Sequence, residues 1–264
     1  MNEFDRLLKW TQELSQSLSA FVSHYGIAEA IAFNASGPAI TIGDFVNYCI
    51  AKGSKHIRAA LVLLDHDLPE DAIVLSRAAY ECYVGAAYAK AQGVQAIDDL
   101  VYNTVGLNAG TVEYARTKTG GWDYRRLVDK ETGTFYNAPP SIERMIKSTG
   151  YPADAVVHRQ YYGFSSEHAH VNMAGSGNYR EGARYTDYGN AQRPNGVFLT
   201  AYITATLLGI AIATADMDER EKARVKRELR QTIKQINMVL DKHFEDPADA
   251  FVGAVCTRLG QVIC

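Results

Sequence analysis

Pro194-Asn-Gly-Val-Phe-Leu-Thr-Ala-Tyr-Ile-Thr-Ala-Thr-Leu-Leu-Gly-Ile-Ala-Ile-Ala-Thr-Ala215 carries no charged residue and is mostly apolar from Val197 onward. Its length meets the requirement for a membrane span, about 20 apolar residues. Two features point the other way. Thr200, Tyr202, Thr204, Thr206, Gly209 and Thr214 interrupt the apolar run, and the stretch stands alone in the chain. It therefore reads as the central helix of a bundle, apolar all round because it is covered all round. That reading makes the fold all-α, and a membrane is not an expected partner.

Helical periodicity continues on both sides. Phe4, Leu7, Leu8, Leu14, Leu18, Phe21 and Val22 recur at helical spacing and predict an amphipathic first helix over 3–24. A second helix is expected from Asp44, as its N-cap, through Val46, Ile50, Ile57, Leu61 and Leu64. Pro69 suits the first turn of a third helix, and Glu70 and Asp71 suit its positive end; Gly93 ends it after Gln92. A fourth helix is expected over Val94–Lys118, closed by Gly120-Gly121. Beyond the central stretch, Asp218 can cap Glu219–His243, whose apolar stripe is Val225, Leu229, Ile233, Ile236 and Leu240. Asp246-Pro247 starts a terminal helix over 246–260 bearing Phe251, Val255 and Leu259.

The helices at 44–66, 69–92, 194–216 and 218–243 suffice for an antiparallel bundle with irregular Gly/Tyr-rich insertions. The expected organisation is one helical domain over 1–264, with its core at about 40–243 and the helices 3–24 and 246–260 packed on it. Residues 119–153 form one insertion, with short helical candidates at Trp122–Lys130 and Ser141–Ser148. Residues 174–196 form the other, interleaving glycines with Tyr179, Tyr185 and Tyr188. Loops that long serve function or are disordered, and the aromatic content favours a lid or an interface. With the small-residue helix 197–215, the second insertion is a candidate homo-oligomer surface. No strand is predicted.

The chain has 264 residues, 47% of them hydrophobic, which is enough for a substantial core. A net charge of −3 gives no global field to draw in nucleic acid, so only a local patch could serve that partner. Lys222, Arg224, Lys226, Arg227 and Arg230 cluster, but Glu219, Glu221 and Glu228 are interspersed, which describes a solvated helix face. Cys49, Cys82, Cys256 and Cys264 lie in apolar contexts with no CxxC spacing. They read as buried thiols of a reducing compartment. The opening Met1–Arg6 is charged and is followed by no apolar signal region, so a cytoplasmic location is expected. No phosphate-loop, GxSxG or HExxH motif is present.

Chemistry is most plausible at two polar clusters. Arg77 and Glu81 lie one helical turn apart within Ala72-Ile-Val-Leu-Ser-Arg-Ala-Ala-Tyr-Glu-Cys-Tyr-Val84, a setting apolar enough to predict that the pair points inward. A buried ion pair costs several kcal/mol per ion to desolvate and is seldom kept for stability alone. The second cluster is His158-Arg-Gln-Tyr-Tyr-Gly-Phe-Ser-Ser-Glu-His-Ala-His170. On a helix, His158, Tyr161 or Tyr162, Ser165 and His168 share a face. Three readings stay open if the clusters meet. Arg77, Glu81, His168, Ser165 and Tyr161 would support metal-independent hydrolysis or ribonuclease chemistry, with His168 as acid/base, Glu81 as orienter or base and Arg77 as anion stabiliser. Glu81, His168 and His170, with Asp154 or Glu167, would hold a divalent metal, the single cofactor contemplated. The third reading is structural: a satisfied polar network ties two helices together within a non-enzymatic binding or oligomerisation module.

Leu75-Ser-Arg-Ala-Ala-Tyr-Glu81 followed by Tyr161-Tyr-Gly-Phe-Ser-Ser-Glu-His168 resembles an uncharacterised bacterial family, domain of unknown function 5677. The resemblance covers about residues 40–215. It implies a helical fold and a site at Arg77, Glu81, Tyr161, Ser165 and His168, and it implies no reaction. A looser similarity in architecture is to HEPN-type helical domains, many of them metal-independent ribonucleases of toxin or defence systems. Their motif sets a histidine a few residues after an arginine. Here Arg58 and His66 are separated by seven residues and Arg159 and His168 by eight, so the chain departs from that pattern.

Overall fold

Short capping signals, more than long periodicities, set where the helices begin and end. The structure, a computed structural model, describes residues 2–26, 32–34, 37–169, 179–181, 184–185, 191–243 and 249–263. In chain order the helices are α1 (Glu3–Tyr25), α2 (Ile42–Asp65), α3 (Pro69–Gln92), α4 (Val94–Ile97), a π-helical turn (Asp98–Tyr102), α5 (Asn103–Ala109), α6 (Ile142–Ile146), α7 (Pro152–Ala169), α8 (Arg193–Thr214), α9 (Glu219–His243) and α10 (Ala250–Ile263). Two-residue to eight-residue strands lie between them: β1 (Ala32–Asn34), β2 (Gly37–Ala39), β3 (Val112–Arg116), β4 (Trp122–Asp129), β5 (Phe135–Asn137), β6 (Arg180–Glu181) and β7 (Arg184–Tyr185).

Thr41, and not Asp44, caps α2: its hydroxyl accepts from the Asp44 N–H at 3.0 Å. Pro69 fills the first turn of α3 as predicted, and Gly93 closes that helix at φ 66°, where side chains with a Cβ are disfavoured. Ser141 caps α6 through the Arg144 N–H.

The helix expected over Val94–Lys118 does not run through. It breaks at Gly110, whose φ is 73°, after the short helical pieces. The helix expected at Trp122–Lys130 is instead strand β4. It pairs antiparallel with β3 on one side and β5 on the other. The hairpin turn is closed by Thr117 N–H donating to the Gly121 carbonyl at 2.8 Å, with Gly120 at φ 85°. Val and Tyr on both arms, with Trp122 on the second and a Gly-Gly turn between them, outweighed a weak helical period. Leu127, Val112 and Ala138 form a small core of their own beneath this sheet.

α8 is the centre of the main core, touching α1, α2, α3, α9 and α10. It is the one described helix long and apolar enough to cross a membrane, and most of it is buried among its neighbours. Its threonines turn back on the helix: the hydroxyls of Thr200, Thr204 and Thr214 donate to the carbonyls four residues earlier, at 2.7, 2.6 and 2.7 Å. Most of what α8 offers its neighbours is hydrocarbon, with a hydrogen bond between Thr200 and Ser76 of α3 at 2.8 Å among the exceptions. Most of the stretch 197–215 is buried inside the chain's own core, and Ala213 and Thr214 at its end are exposed. The Tyr-rich insertion at 174–196 lies largely outside the described residues. α2 and α3 form the tightest pair, and Gly53 lets them approach α8: a Cβ there would meet Leu207 Cδ2 at 2.5 Å and Cys82 Cβ at 3.3 Å.

Candidate functional site

α3 and α7 run antiparallel, and the side chains predicted for the site are strung along their interface. Tyr162 on α7 lies over Arg77 on α3, with the guanidinium carbon 4.6 Å from the ring centroid. Arg77 Nη2 donates to Tyr162 OH at 2.8 Å, and that hydroxyl donates to Glu81 Oε1 at 3.1 Å. Arg77 Nε stands 3.4 Å from the same carboxylate oxygen, an ion pair without hydrogen-bond alignment. The two clusters do meet, through Tyr162. They do not meet as a buried pair: the Arg77 side chain is 19% exposed and that of Glu81 40%. α3 spends its small and aromatic residues against α2 and α8, so Arg77 and Glu81 fall on the rim.

Tyr161 and Ser165 project the other way, into the core. The Tyr161 hydroxyl donates to the carbonyls of Ser76 and Leu199, at 3.2 and 3.3 Å. The Ser165 hydroxyl donates to the Tyr161 carbonyl at 2.8 Å. Both residues are almost wholly buried. The Tyr161 proton ties α7 to α3 and α8, and the Ser165 proton stays within α7. His158 packs beside Tyr80 and Tyr162, with ring centroids 5.9 and 4.9 Å away. Burial holds its imidazole below the usual range.

His168 sits six residues past Tyr162, about 9 Å farther along the axis at about 1.5 Å per residue. Its Nδ1 lies 3.0 Å from the Phe164 carbonyl, and it interacts electrostatically with Glu70 at the start of α3. Burial raises the Glu70 carboxyl above its usual range, with His168 acting against that rise. The geometry thus separates His168 from Arg77 and Glu81. His170 lies outside the described residues. Among the described residues no group of three or more His, Cys, Asp or Glu side chains is placed to hold a metal ion.

A buried ion pair does exist, at the other end of the same interface. Asp154 on α7 and Arg258 on α10 are 1% and 2% exposed, with Nε to Oδ1 at 3.1 Å. Tyr83 donates its hydroxyl to Asp154 and accepts from Arg258 Nε at 2.9 Å, and Thr149 donates to Asp154 at 3.2 Å. Tyr151 stacks on the guanidinium, 3.9 Å from its carbon. One signal in the sequence marks this pair: Arg258 occupies a core position of α10, in register with Phe251, Val255, Leu259 and Val262.

Glu81 also faces a second space. A cleft of about 450 Å³ opens between α2 and α3, with Phe45, Tyr48 and Met145 on its walls and Lys52, His56 and Glu81 as its polar groups. Lys52 leans over Tyr48, its Nζ 5.8 Å from the ring centroid. His56 is held below the usual imidazole range by burial and by Lys52 and Lys55, while Glu81 pulls it upward. Cys82, in the floor, is pushed up to about 11 by burial, so it is a thiol and a poor nucleophile at neutral pH. An ammonium, a neutral imidazole and a carboxylate in an apolar cleft can together fix a small molecule's acid group and its hydrogen-bond donors.

Residues 44–183, just over half of the chain, match the profile of a family described as a family of unknown function, DUF5677. No curated protein and no solved structure matches the chain significantly. No match points to HEPN-type domains.

Proposed function

We propose, for a chain that belongs to the family of unknown function DUF5677, that it is a helical binding module whose ligand occupies the α2–α3 cleft. The observation that carries this is the convergence of Lys52, His56 and Glu81 in one apolar-walled cleft. The Arg77–Tyr162–Glu81 network then serves as a tie: it fixes the Glu81 carboxylate on α3 while joining α3 to α7. The ligand class is a small organic acid with an aromatic or aliphatic body, its carboxylate on Lys52 and a donor on Glu81 or His56. The unpaired thiols of Cys49, Cys82 and Cys256 support work in a reducing compartment, as in a bacterial cytoplasm.

Chemical-shift mapping with a library of aromatic and aliphatic carboxylates tests the reading. Perturbations should gather at Lys52, His56 and Glu81 and fade in Lys52→Gln. Hits scattered over other surfaces, or insensitive to that change, would remove it.

The hydrolase or ribonuclease reading, of a toxin or defence type, draws support from His168, whose ring is oriented by the Phe164 carbonyl as a general base requires. It has to bring His168 to Arg77 and Glu81 by a substrate long enough to span them. Under it, His168→Ala abolishes phosphodiester cleavage and leaves the melting temperature unchanged. Activity that survives the substitution ends it. A homo-oligomer is also supported, through the exposed Trp122, Tyr124, Phe135 and Tyr136 of the β3–β4–β5 sheet. Light scattering over a concentration series reads this directly.

A further inference from the structure

We propose that the turn end of the β3–β4 hairpin binds single-stranded nucleic acid. The Thr117–Gly121 turn closes that end, and the small core of Val112, Leu127 and Ala138 lies under the other. Arg116 pairs with Trp122 in the strand register, and its guanidinium carbon lies 3.2 Å from the ring centroid. Tyr124, two residues further along β4, meets Tyr114 edge-on at 5.1 Å. Trp122 is 41% exposed and Tyr124 67%. Two aromatic rings and a guanidinium thus stand together at the end of a hairpin, open to solvent.

Charge decides what this face would take. Between Tyr114 and Arg126 the cations are Arg116, Lys118, Arg125 and Arg126, and the carboxylate among them is Asp123. Asp123 pairs in register with Ala115, which puts it on the opposite face from Trp122, and Arg126 holds it at 2.9 Å. Arg116 donates to a neutral acceptor, the Gly120 carbonyl, at 3.2 Å. The whole chain carries −3, so this end is a local positive patch on an acidic protein. Rings interleaved with cations suit an unpaired strand, whose bases stack on the rings while its phosphates meet the cations.

The side chains at the tip narrow the choice of polyanion. A membrane surface takes up apolar side chains, and the turn that leads this hairpin is Thr117-Lys-Thr-Gly-Gly121. A duplex keeps its base faces stacked on one another, which leaves Trp122 and Tyr124 uncovered. An acidic peptide would satisfy the cations and also leave the rings bare. The inference does not depend on the ligand read for the α2–α3 cleft, whose lining shares no residue with the hairpin.

Fluorescence anisotropy of labelled oligouridylate and oligothymidylate, about ten nucleotides long, tests the inference on the full chain. Saturable binding of both is expected, with a dissociation constant of roughly 10⁻⁴–10⁻⁶ M at physiological salt. Phosphate contacts from Arg116, Lys118 and Arg125 should give log K a slope of about −2 against log salt. Lys118→Gln/Arg125→Gln changes two exposed side chains and should weaken binding about tenfold or more, with the slope reduced to about −0.7. Trp122→Ala should weaken it about five- to hundredfold, the loss of one stacked base. The chain has two tryptophans, so in Trp10→Phe the remaining indole is Trp122, and its emission should be quenched as the strand binds. No saturable binding, binding that neither tip variant weakens, an unquenched Trp122, or equal competition by polyglutamate, phosphatidylserine vesicles or duplex DNA would overturn it.

Discussion

Arg77 and Arg258 are the same residue type in opposite circumstances, and their removal should separate cleanly. Arg258→Ala strands a carboxylate that is 1% exposed, and it takes away the partner stacked on Tyr151. Breaking a buried pair on one side costs roughly 3–5 kcal/mol. Arg77→Ala leaves Glu81 at the rim, where water can take over, and should cost about 1 kcal/mol or less. Urea unfolding of both variants gives the comparison, and equal losses would contradict the placement of either pair. The two arginines also show what single residues disclose. Arg77 stood out because its neighbours in sequence are apolar, yet neighbours in sequence lie on all sides of a helix. Arg258 was the better signal, a charge in register with an apolar stripe, and its weight became visible only once Asp154 was found opposite.

Among elements, α7 and α2 carry glycines with contrary requirements. Gly163 has open space where a Cβ would go. Gly163→Ala should therefore stabilise the protein by up to about 1 kcal/mol, the difference in helix propensity. Gly53 sits where α2, α3 and α8 close together, and an added methyl would displace the buried Leu207. Gly53→Ala should destabilise by roughly 1–3 kcal/mol despite the better propensity. Thermal or chemical melts of the two variants should shift in opposite directions. Helices α1, α2, α3, α8 and α9 were legible from the sequence because each has a cap or a breaker at the end of a long period. The segment from Val94 to Asn137 was not. Its helical pieces are short, and the β3–β4 pairing depends on contacts across the Thr117–Gly121 turn, which a one-dimensional period does not register. The site was legible in the same partial way: the residue types of α3 and α7 pointed to their shared interface, whereas Lys52 and His56 gained meaning only when α2 was laid beside α3.

For the molecule as a whole, the start of α1 and the end of α9 are fastened at one point. Glu3 on α1 accepts from Lys242 and meets His243 of α9, both at 2.8 Å. These partners hold its carboxyl down, from 4.5 to about 2. An acid depressed in this way binds fewer protons folded than unfolded, so its contribution is complete above about 4.5 and disappears as pH falls toward about 2. The wild type should therefore exceed Glu3→Gln in stability at neutral pH and lose that margin on acidification, with added salt narrowing it throughout. Acid titrations of both proteins followed by circular dichroism show whether it does. The inward-turned threonines of α8 bear on how the chain is made. With their hydroxyls hidden, a ribosome releases a greasy rod whose companions α9 and α10 are not yet synthesised. At roughly 5–20 residues per second, a few seconds pass before they arrive. During those seconds the nascent protein offers chaperones, and any nearby bilayer, the most adhesive segment it will ever show.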